Sequence, residues 1–220
     1  MTIAENFEKI LGKIHKAERM SGQEQGTCSL VAVTKTQSLE NLRAALSFGH
    51  RLFGENKVQE AQSHWASLKQ EHADIKLHLI GPLQSNKAGE AVELFDCIET
   101  LDREKLALAL DREMKKQERN IPCFIQVNTG EEDQKSGILP KDLKDFLAFC
   151  RRETSLEITG LMCIPPNDEP PALHFAFLKK LAIEEGLANL SMGMSADYER
   201  AIALGATHVR IGTALFGQRQ

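Results

Sequence analysis

A lysine directly follows a short apolar run near the start of the chain, in Val31-Ala-Val-Thr-Lys-Thr36. If this run is a β-strand, Val31, Val33 and Lys35 share one face, because successive side chains point to opposite faces. Desolvation and nearby cations favour the neutral form of an amine at such a strand end, and a neutral amine can form an imine with a carbonyl compound. Lys35 is therefore a candidate Schiff-base lysine. The alternative is a lysine that merely extends to water from the end of a strand.

Two glycine-containing turns late in the chain could bind an anion. They are Met192-Gly-Met-Ser195 and the segment that begins Arg210-Ile-Gly-Thr213. Glycine lets the backbone approach an anion closely, and a helix N-terminus offers unpaired N–H groups. Ser195 has the position of a helix N-cap, which capping alone would explain, while Gly212 and Thr213 offer backbone amides. Two such turns on neighbouring loops predict a phosphate site.

An arginine interrupts the apolar run that leads into the second turn. If Val209 and Ile211 face helices, Arg210 points into the interior, where a permanently charged guanidinium needs a partner. That partner is either an interior carboxylate or a ligand, and an arginine beside a pyridine nitrogen is one way in which proteins tune pyridoxal phosphate. A lysine for an imine, an arginine for a ring nitrogen and a phosphate site are the three features that this cofactor requires.

The composition argues against several other classes of protein. The chain has 220 residues and a formal net charge of -4, with charges of both signs interspersed, whereas a nucleic-acid-binding surface needs a basic stripe. No stretch resembles a signal peptide or has the length of a membrane span, so we expect a cytoplasmic protein. The five cysteines include no close pair and the seven histidines show no metal-ligand spacing, which predicts reduced thiols and no metal.

Strand and helix patterns alternate along the chain. Eight strands are predicted, at residues 28–33, 51–54, 77–80, 97–100, 122–127, 158–162, 190–192 and 208–211. Helices are predicted at residues 3–21, 38–49, 58–68, 88–94, 103–119, 140–152, 171–185 and 196–204. Strands separated by helices of this length imply right-handed crossovers and a parallel sheet.

Eight such units predict a single α/β domain over residues 1–220. A closed (β/α)8 barrel is the first choice and a doubly wound open sheet the second. No glycine fingerprint for a dinucleotide follows the first strand, which disfavours the open sheet. Only nine residues follow the eighth strand, too few for another crossover helix, so we expect the helix at residues 3–21 to close the ring. Functional groups in such a barrel collect at the carboxyl ends of the strands.

The chain resembles the pyridoxal-phosphate homeostasis protein family, which comprises single-domain relatives of the N-terminal barrel of alanine racemase. The resemblance extends over nearly the whole chain, through Val31-Ala-Val-Thr-Lys35, Phe53-Gly-Glu-Asn-Lys-Val-Gln-Glu60, His78-Leu-Ile-Gly-Pro-Leu-Gln-Ser-Asn-Lys87, Gln126-Val-Asn-Thr-Gly130, Lys135-Ser-Gly137, Gly160-Leu-Met162, Leu190-Ser-Met-Gly-Met-Ser195 and Val209-Arg-Ile-Gly-Thr213. It implies that Lys35 carries pyridoxal 5'-phosphate as an internal aldimine, with Asn56 beside the ring and Arg210 facing its nitrogen.

The resemblance also assigns the phosphate, which Ser195 and the backbone of Gly212 and Thr213 would hold. Whether the protein is an enzyme is a separate question, because the related racemase uses a tyrosine from a second domain that this chain is expected to lack. The only tyrosine, Tyr198, is expected to pack against neighbouring elements, and an arginine at the ring nitrogen makes the ring a poorer electron sink. We therefore expect a non-enzymatic protein that carries or buffers the cofactor and affects amino-acid and keto-acid balance indirectly.

Two other functions stay open at this point. One is a pyridoxal-phosphate-dependent racemase or lyase in which Lys35 acts as the base. The other is a Schiff-base aldolase without the cofactor, which would leave the two turns and Arg210 without a joint purpose. As partners we expect the cofactor and, as candidate recipients, apo-enzymes that use it, with no nucleic acid, no membrane and a monomeric state. Lys87 is either a second aldehyde-reactive amine or a solvated charge, and Asn86 has no predicted role.

Overall fold

Eight parallel strands form a closed barrel in chain order. The structure, a computed structural model, describes residues 2–217. The strands are β1 (Ser29–Val33), β2 (Leu52–Glu55), β3 (Lys76–Leu79), β4 (Cys97–Leu101), β5 (Cys123–Gln126), β6 (Ile158–Met162), β7 (Asn189–Ser191) and β8 (His208–Ile211). Each strand pairs in parallel with the next, and β1 pairs with β8. The predicted (β/α)8 barrel is confirmed, and the open sheet is excluded.

Helices connect the strands on the outside of the barrel. They are α1 (Ile3–Met20), α2 (Leu39–Ser47), α3 (Val58–Glu71), α4 (Ala88–Leu94), α5 (Glu104–Lys116), α6 (Leu143–Glu153), α7 (Pro171–Glu184), α8 (Tyr198–Ala203) and α9 (Thr213–Phe216). The predicted bounds of α5 were too wide, because Glu118 has a φ of 52° and ends the helix in the left-handed region. A 3-10 turn, Pro140–Asp142, precedes α6.

The strands separate two packed regions. In β1, Leu30 and Ala32 belong to the large apolar cluster between barrel and helices, so the alternate residues Val31 and Val33 point into the barrel. A Cβ on Gly54 of β2 would lie 2.8 Å from Val31 Cγ1, which shows how closely side chains fill the interior. Inside, a separate apolar cluster is formed by Cys97, Phe124 and Met162. The barrel is therefore a packed core rather than a pore.

Helix α1 covers the ring between its first and last units, as expected. It packs against α2, α8 and α9, and its buried Phe7 stacks on Phe48 at 5.0 Å between ring centroids. Phe7 also contacts Phe216 of α9 edge-on, with centroids 6.3 Å apart. One aromatic side chain thus joins the two ends of the described chain. Among residues 2–217, no helix is long and apolar enough to cross a membrane.

Replacing Phe7 by alanine should lower the free energy of unfolding by about 3–5 kcal/mol, because a fully buried ring leaves a cavity that cannot collapse. Urea denaturation followed by circular dichroism measures this loss. The matched control is Met20→Ala on the same helix, whose side chain is 78% exposed and should change stability by less than about 0.5 kcal/mol. Equal effects of the two substitutions would contradict a closing role for α1.

Candidate functional site

A cavity of about 310 Å³ opens at the carboxyl ends of the first and last strands. Lys35 lines it two residues beyond β1, Asn56 lines it directly after β2, and Arg210 reaches it from within β8. Strand β1 pairs with β8 in a register that sets Val31 opposite Arg210. Barrel closure therefore brings together a lysine and an arginine that are far apart in sequence.

The two glycine-containing turns form another wall of the same cavity. Ser195, Gly212 and Thr213 all line it, and Gly212 is the N-cap of α9. The first N–H groups of a helix have no partner within the helix, so the backbone of this turn has donors for an anion. All six residues singled out in the sequence are thus brought to one cavity.

One detail of the prediction for Ser195 was wrong. Helix α8 begins at Tyr198 rather than Ala196, and its N-cap is Asp197, whose Oδ1 accepts a hydrogen bond of 2.6 Å from the N–H of Met194. Asp197 is as good a capping residue as serine, and the apolar periodicity alone did not separate the two. Capping therefore does not account for Ser195.

The backbone at position 193 requires glycine. Its φ of 93° is in the left-handed region, and a Cβ there would lie 2.5 Å from the Cβ of Ala201. Its carbonyl accepts a hydrogen bond of 2.9 Å from the N–H of Arg210. Gly193 thus lets the turn after β7 fold tightly onto α8 while it stays paired with β8.

Apolar side chains complete the cavity. The buried Val33 and Ile80 line it, as do Ile164 and Met194, each of which remains 37% exposed. The cavity therefore presents hydrocarbon surface as well as the polar groups of the lysine and the two turns. Apolar walls with a few convergent polar groups are typical of small-molecule sites.

Carboxylates accept hydrogen bonds from the residues on both sides of Lys35. The buried Glu55 accepts hydrogen bonds of 2.6 Å from Thr34 Oγ1 and 3.0 Å from Trp65 Nε1. On the other side, Glu60 accepts a hydrogen bond from the N–H of Thr36, which has a φ of 62°. A threonine in the left-handed region is strained, so the contact with Glu60 helps to fix the turn that presents Lys35.

The guanidinium of Arg210 has partners inside the barrel. Its Nη1 donates to Ser191 Oγ at 2.6 Å and its Nη2 to the carbonyl of Cys163 at 2.8 Å. Ser191 in turn donates to Glu99 Oε2 at 2.5 Å. The sequence left open whether the partner of Arg210 is an interior carboxylate or a ligand. In the structure Arg210 is linked to the carboxylate of Glu99 through Ser191, and it also lines the cavity.

Glu99 is fully buried and remains charged. Burial alone would raise its pKa, but the hydrogen bond from His78, 2.7 Å from Oε1, and the nearby charges of His78 and Arg210 lower the pKa to about 2. Burial lowers the pKa of the neighbouring His208 to about 4, so this second imidazole is neutral near pH 7. The buried Glu99 carboxylate is thus balanced by the permanently charged guanidinium of Arg210.

Tyr198 lies outside this cavity. It is 5% exposed and packs in the cluster between barrel and helices, as expected, and it contributes to a different cavity, between α1 and α8. Burial raises the pKa of its hydroxyl to about 12. The hydroxyl is therefore neutral and belongs to the helical layer.

Lys87 lines a third cavity, of about 530 Å³, which shares Asn56 with the first. Its ammonium forms an ion pair of 2.8 Å with Glu90. Asn86 lies with it in the short 3-10 turn Ser85–Lys87. Across residues 2–217, no group of three or more His, Cys, Asp or Glu side chains is arranged to hold a metal, and all five cysteines are buried and free of disulfides.

Comparison with known proteins gives this geometry a context. The family model described as alanine racemase, N-terminal domain, matches residues 9–220. A protein of Vibrio cholerae named pyridoxal phosphate homeostasis protein is 40% identical over 99% of this chain and 97% of its own length. One of the same name from Pseudomonas aeruginosa is 42% identical over 99% and 96%. The chain belongs to the pyridoxal phosphate homeostasis protein family.

Solved structures agree with this assignment. PipY of Synechococcus elongatus, solved with PLP bound, is 35% identical and superposes with a TM-score of 0.84 over 98% of this chain and all of that one. An alanine racemase of Clostridium difficile, 14% identical, superposes with a TM-score of 0.72 over 98% of this chain but only 57% of its own. The racemase therefore has the fold of the present chain over about half of the racemase's own length.

The polar residues behind the site were not predicted from the sequence. Glu55 and Glu60 lie inside the family motif at residues 53–60, and His78 begins the one at residues 78–87. Glu99 was overlooked in the apolar strand β4, although a buried charge in an apolar run is the same signal that drew attention to Arg210.

Glu55 should make stability depend on pH. Burial raises its pKa, although hydrogen bonds from Thr34 and Trp65 oppose this, so the folded state binds a proton more tightly than the unfolded chain. The contribution of Glu55 to the free energy of unfolding is therefore largest below the ordinary glutamate pKa of about 4.3, and it is lost as the pH rises through the raised value.

Glu55→Gln removes this ionisation while keeping the shape. The difference in the free energy of unfolding between the wild type and the variant should become smaller from pH 5 to pH 7.5. Urea denaturation at both pH values measures this difference. Parallel stability curves over this interval would show that Glu55 binds protons equally in the folded and unfolded states.

Proposed function

We propose that this protein binds pyridoxal 5'-phosphate covalently at Lys35 and carries or buffers it within the cell, without catalysing a reaction of its own. The observation that carries the proposal is the convergence of Lys35, Arg210 and the two glycine-containing turns on one cavity. Relatives named for pyridoxal phosphate homeostasis, and a PLP-bound structure of one related protein, support it.

The donor set of the cavity suits each part of the cofactor. When bound, pyridoxal 5'-phosphate supplies an aldehyde that forms a covalent bond with a lysine amine. Lys35 is the amine, and Asn56 and the apolar walls flank the ring. Arg210, which can only donate hydrogen bonds, suits an unprotonated pyridine nitrogen.

The phosphate belongs at the turns after β7 and β8. Ser195 offers a hydroxyl, and the backbone at Gly212 and Thr213 offers N–H groups at the start of α9. Loops after the seventh and eighth strands hold phosphate in many barrels of this type. This match between donors and ligand supports the proposal that these three residues bind the phosphate.

A carrier role fits the groups that surround the cavity better than catalysis does. Racemisation needs an acid–base group on each face of the substrate carbon, and the one tyrosine of the chain is buried in the helical layer. Arg210 at the ring nitrogen keeps that nitrogen unprotonated, which weakens the ring as an electron sink. The proposed recipients are apo-enzymes that need the cofactor. The five buried thiols suit a cytoplasmic location. We also propose that the protein acts as a monomer.

The first test compares the purified protein with Lys35→Ala. After incubation with pyridoxal 5'-phosphate, the wild type should show the absorption band of a lysine-bound cofactor, and borohydride should fix the cofactor to a peptide containing Lys35 by mass spectrometry. Lys35→Ala should lose both signals. The matched control is Lys87→Ala, because Lys87 is paired with Glu90 and lines another cavity, so this variant should keep the band. A wild type that stays colourless would refute the proposal.

The second test concerns turnover. The loaded protein should racemise or cleave L- and D-amino acids no faster than free cofactor at the same concentration, as followed by chiral chromatography and keto-acid assays. Transfer to a separate apo-enzyme that uses the cofactor should restore the activity of that enzyme. Turnover above the free cofactor that disappears in Lys35→Ala would instead identify a racemase or lyase.

A further inference from the structure

A buried carboxylate inside the barrel has been assigned no role in the function proposed above. Glu99 is fully buried on β4 and does not line the cofactor cavity. Each of its oxygens accepts one hydrogen bond, Oε1 from His78 Nδ1 at 2.7 Å and Oε2 from Ser191 Oγ at 2.5 Å. A charge so completely removed from water must be held by such donors and balanced by a nearby cation.

The direction of the hydrogen bonds through Ser191 is fixed by chemistry. Ser191 Oγ lies 2.6 Å from Arg210 Nη1 and 2.5 Å from Glu99 Oε2. Because a guanidinium can only donate, the hydroxyl oxygen accepts from Arg210 and its proton goes to Glu99. The hydroxyl thus connects a buried cation to a buried anion without direct contact between them.

The intervening hydroxyl also keeps the guanidinium available. A carboxylate in direct contact with arginine usually takes two parallel hydrogen bonds and occupies one edge of the fork. Here one N–H of Arg210 goes to Ser191 and one to the carbonyl of Cys163 at 2.8 Å. Arg210 therefore keeps other N–H groups for the cavity that it lines, while its plane is held at two points.

We infer that Glu99 and Ser191 are positioning residues for the cofactor: they balance the charge of Arg210 and fix its guanidinium in the cavity, where it would face the pyridine ring of the bound cofactor. The inference rests on the proposed function, since it assigns a role toward the same ligand. His78 holds the far oxygen of Glu99, so the chain of contacts runs from β3 through β4 and β7 to β8.

Ser191→Ala and Glu99→Gln test the inference in the full-length protein. Ser191→Ala removes the bridging hydroxyl, and Glu99→Gln removes the balancing charge with little change in shape. Both should displace the absorption maximum of the bound cofactor and weaken its binding by about tenfold, the scale of one hydrogen bond to a charged group. Ser191→Thr keeps the hydroxyl and should restore the wild-type maximum.

Glu18→Gln is the matched control. Glu18 is also a fully buried glutamate, but it accepts hydrogen bonds from the backbone of Gly26 and Cys28, at the other end of β1 from the cavity. This variant should lose stability in thermal unfolding and keep the wild-type spectrum and affinity. The difference between the two glutamine variants separates positioning from general damage to the core.

The outcomes are distinct. Wild-type affinity and absorption maximum in Ser191→Ala would overturn the inference, as would an equal displacement in Glu18→Gln. If Glu99→Gln does not fold, Ser191→Ala, which removes a single oxygen atom, decides the question. A wild type that binds no cofactor would refute the proposed function itself, which is a separate result.

Discussion

Closure of the parallel sheet is the constraint on which the site depends. Because all eight strands run in the same direction, every strand delivers its carboxyl end to one rim, and because β1 pairs with β8, the first and last strands are neighbours there. Lys35 and Arg210 can therefore line one cavity although most of the chain separates them. The cavity exists only when the ring is complete, so the packing of α1 across the junction supports the site as well as the fold.

Much of this arrangement could be predicted because it is local in the sequence. Strand and helix patterns give the barrel, and the rule that functional groups collect at carboxyl ends gives the rim where Lys35, Asn56 and Thr213 are found. The exact start of a helix could not be predicted where two neighbouring residues are equally suitable as its N-cap. Ser195 and Asp197 are both residue types that favour the N-cap, and the structure begins α8 after Asp197, a choice that no local pattern records.

The interior charges could not be paired from the sequence for a different reason. Glu99, Ser191 and Arg210 lie on three different strands, and their contacts depend on which inward side chains reach the same level of the barrel. Strand tilt and register set these levels. An inward-pointing arginine signals that a counter-charge is needed, but Glu99 and Glu55 are both buried glutamates on strands. Only the three-dimensional register shows that Glu99 points inward and Glu55 points toward α3.

The two buried carboxylates, Glu55 and Glu99, have pKa values shifted in opposite directions by their surroundings. Glu55, on the helical side, has hydrogen bonds but no adjacent arginine, so burial raises its pKa. Glu99, on the inner side, is held by His78 and balanced by Arg210, so its pKa falls to about 2. The Glu99 carboxylate is thus linked to Arg210 through Ser191 and does not line the cavity itself. Arg210 is held by Ser191 and the carbonyl of Cys163, whereas Ile164 and Met194 line the same cavity and remain 37% exposed. The cavity therefore combines a fixed, charge-balanced cation with an apolar wall that is open to solvent.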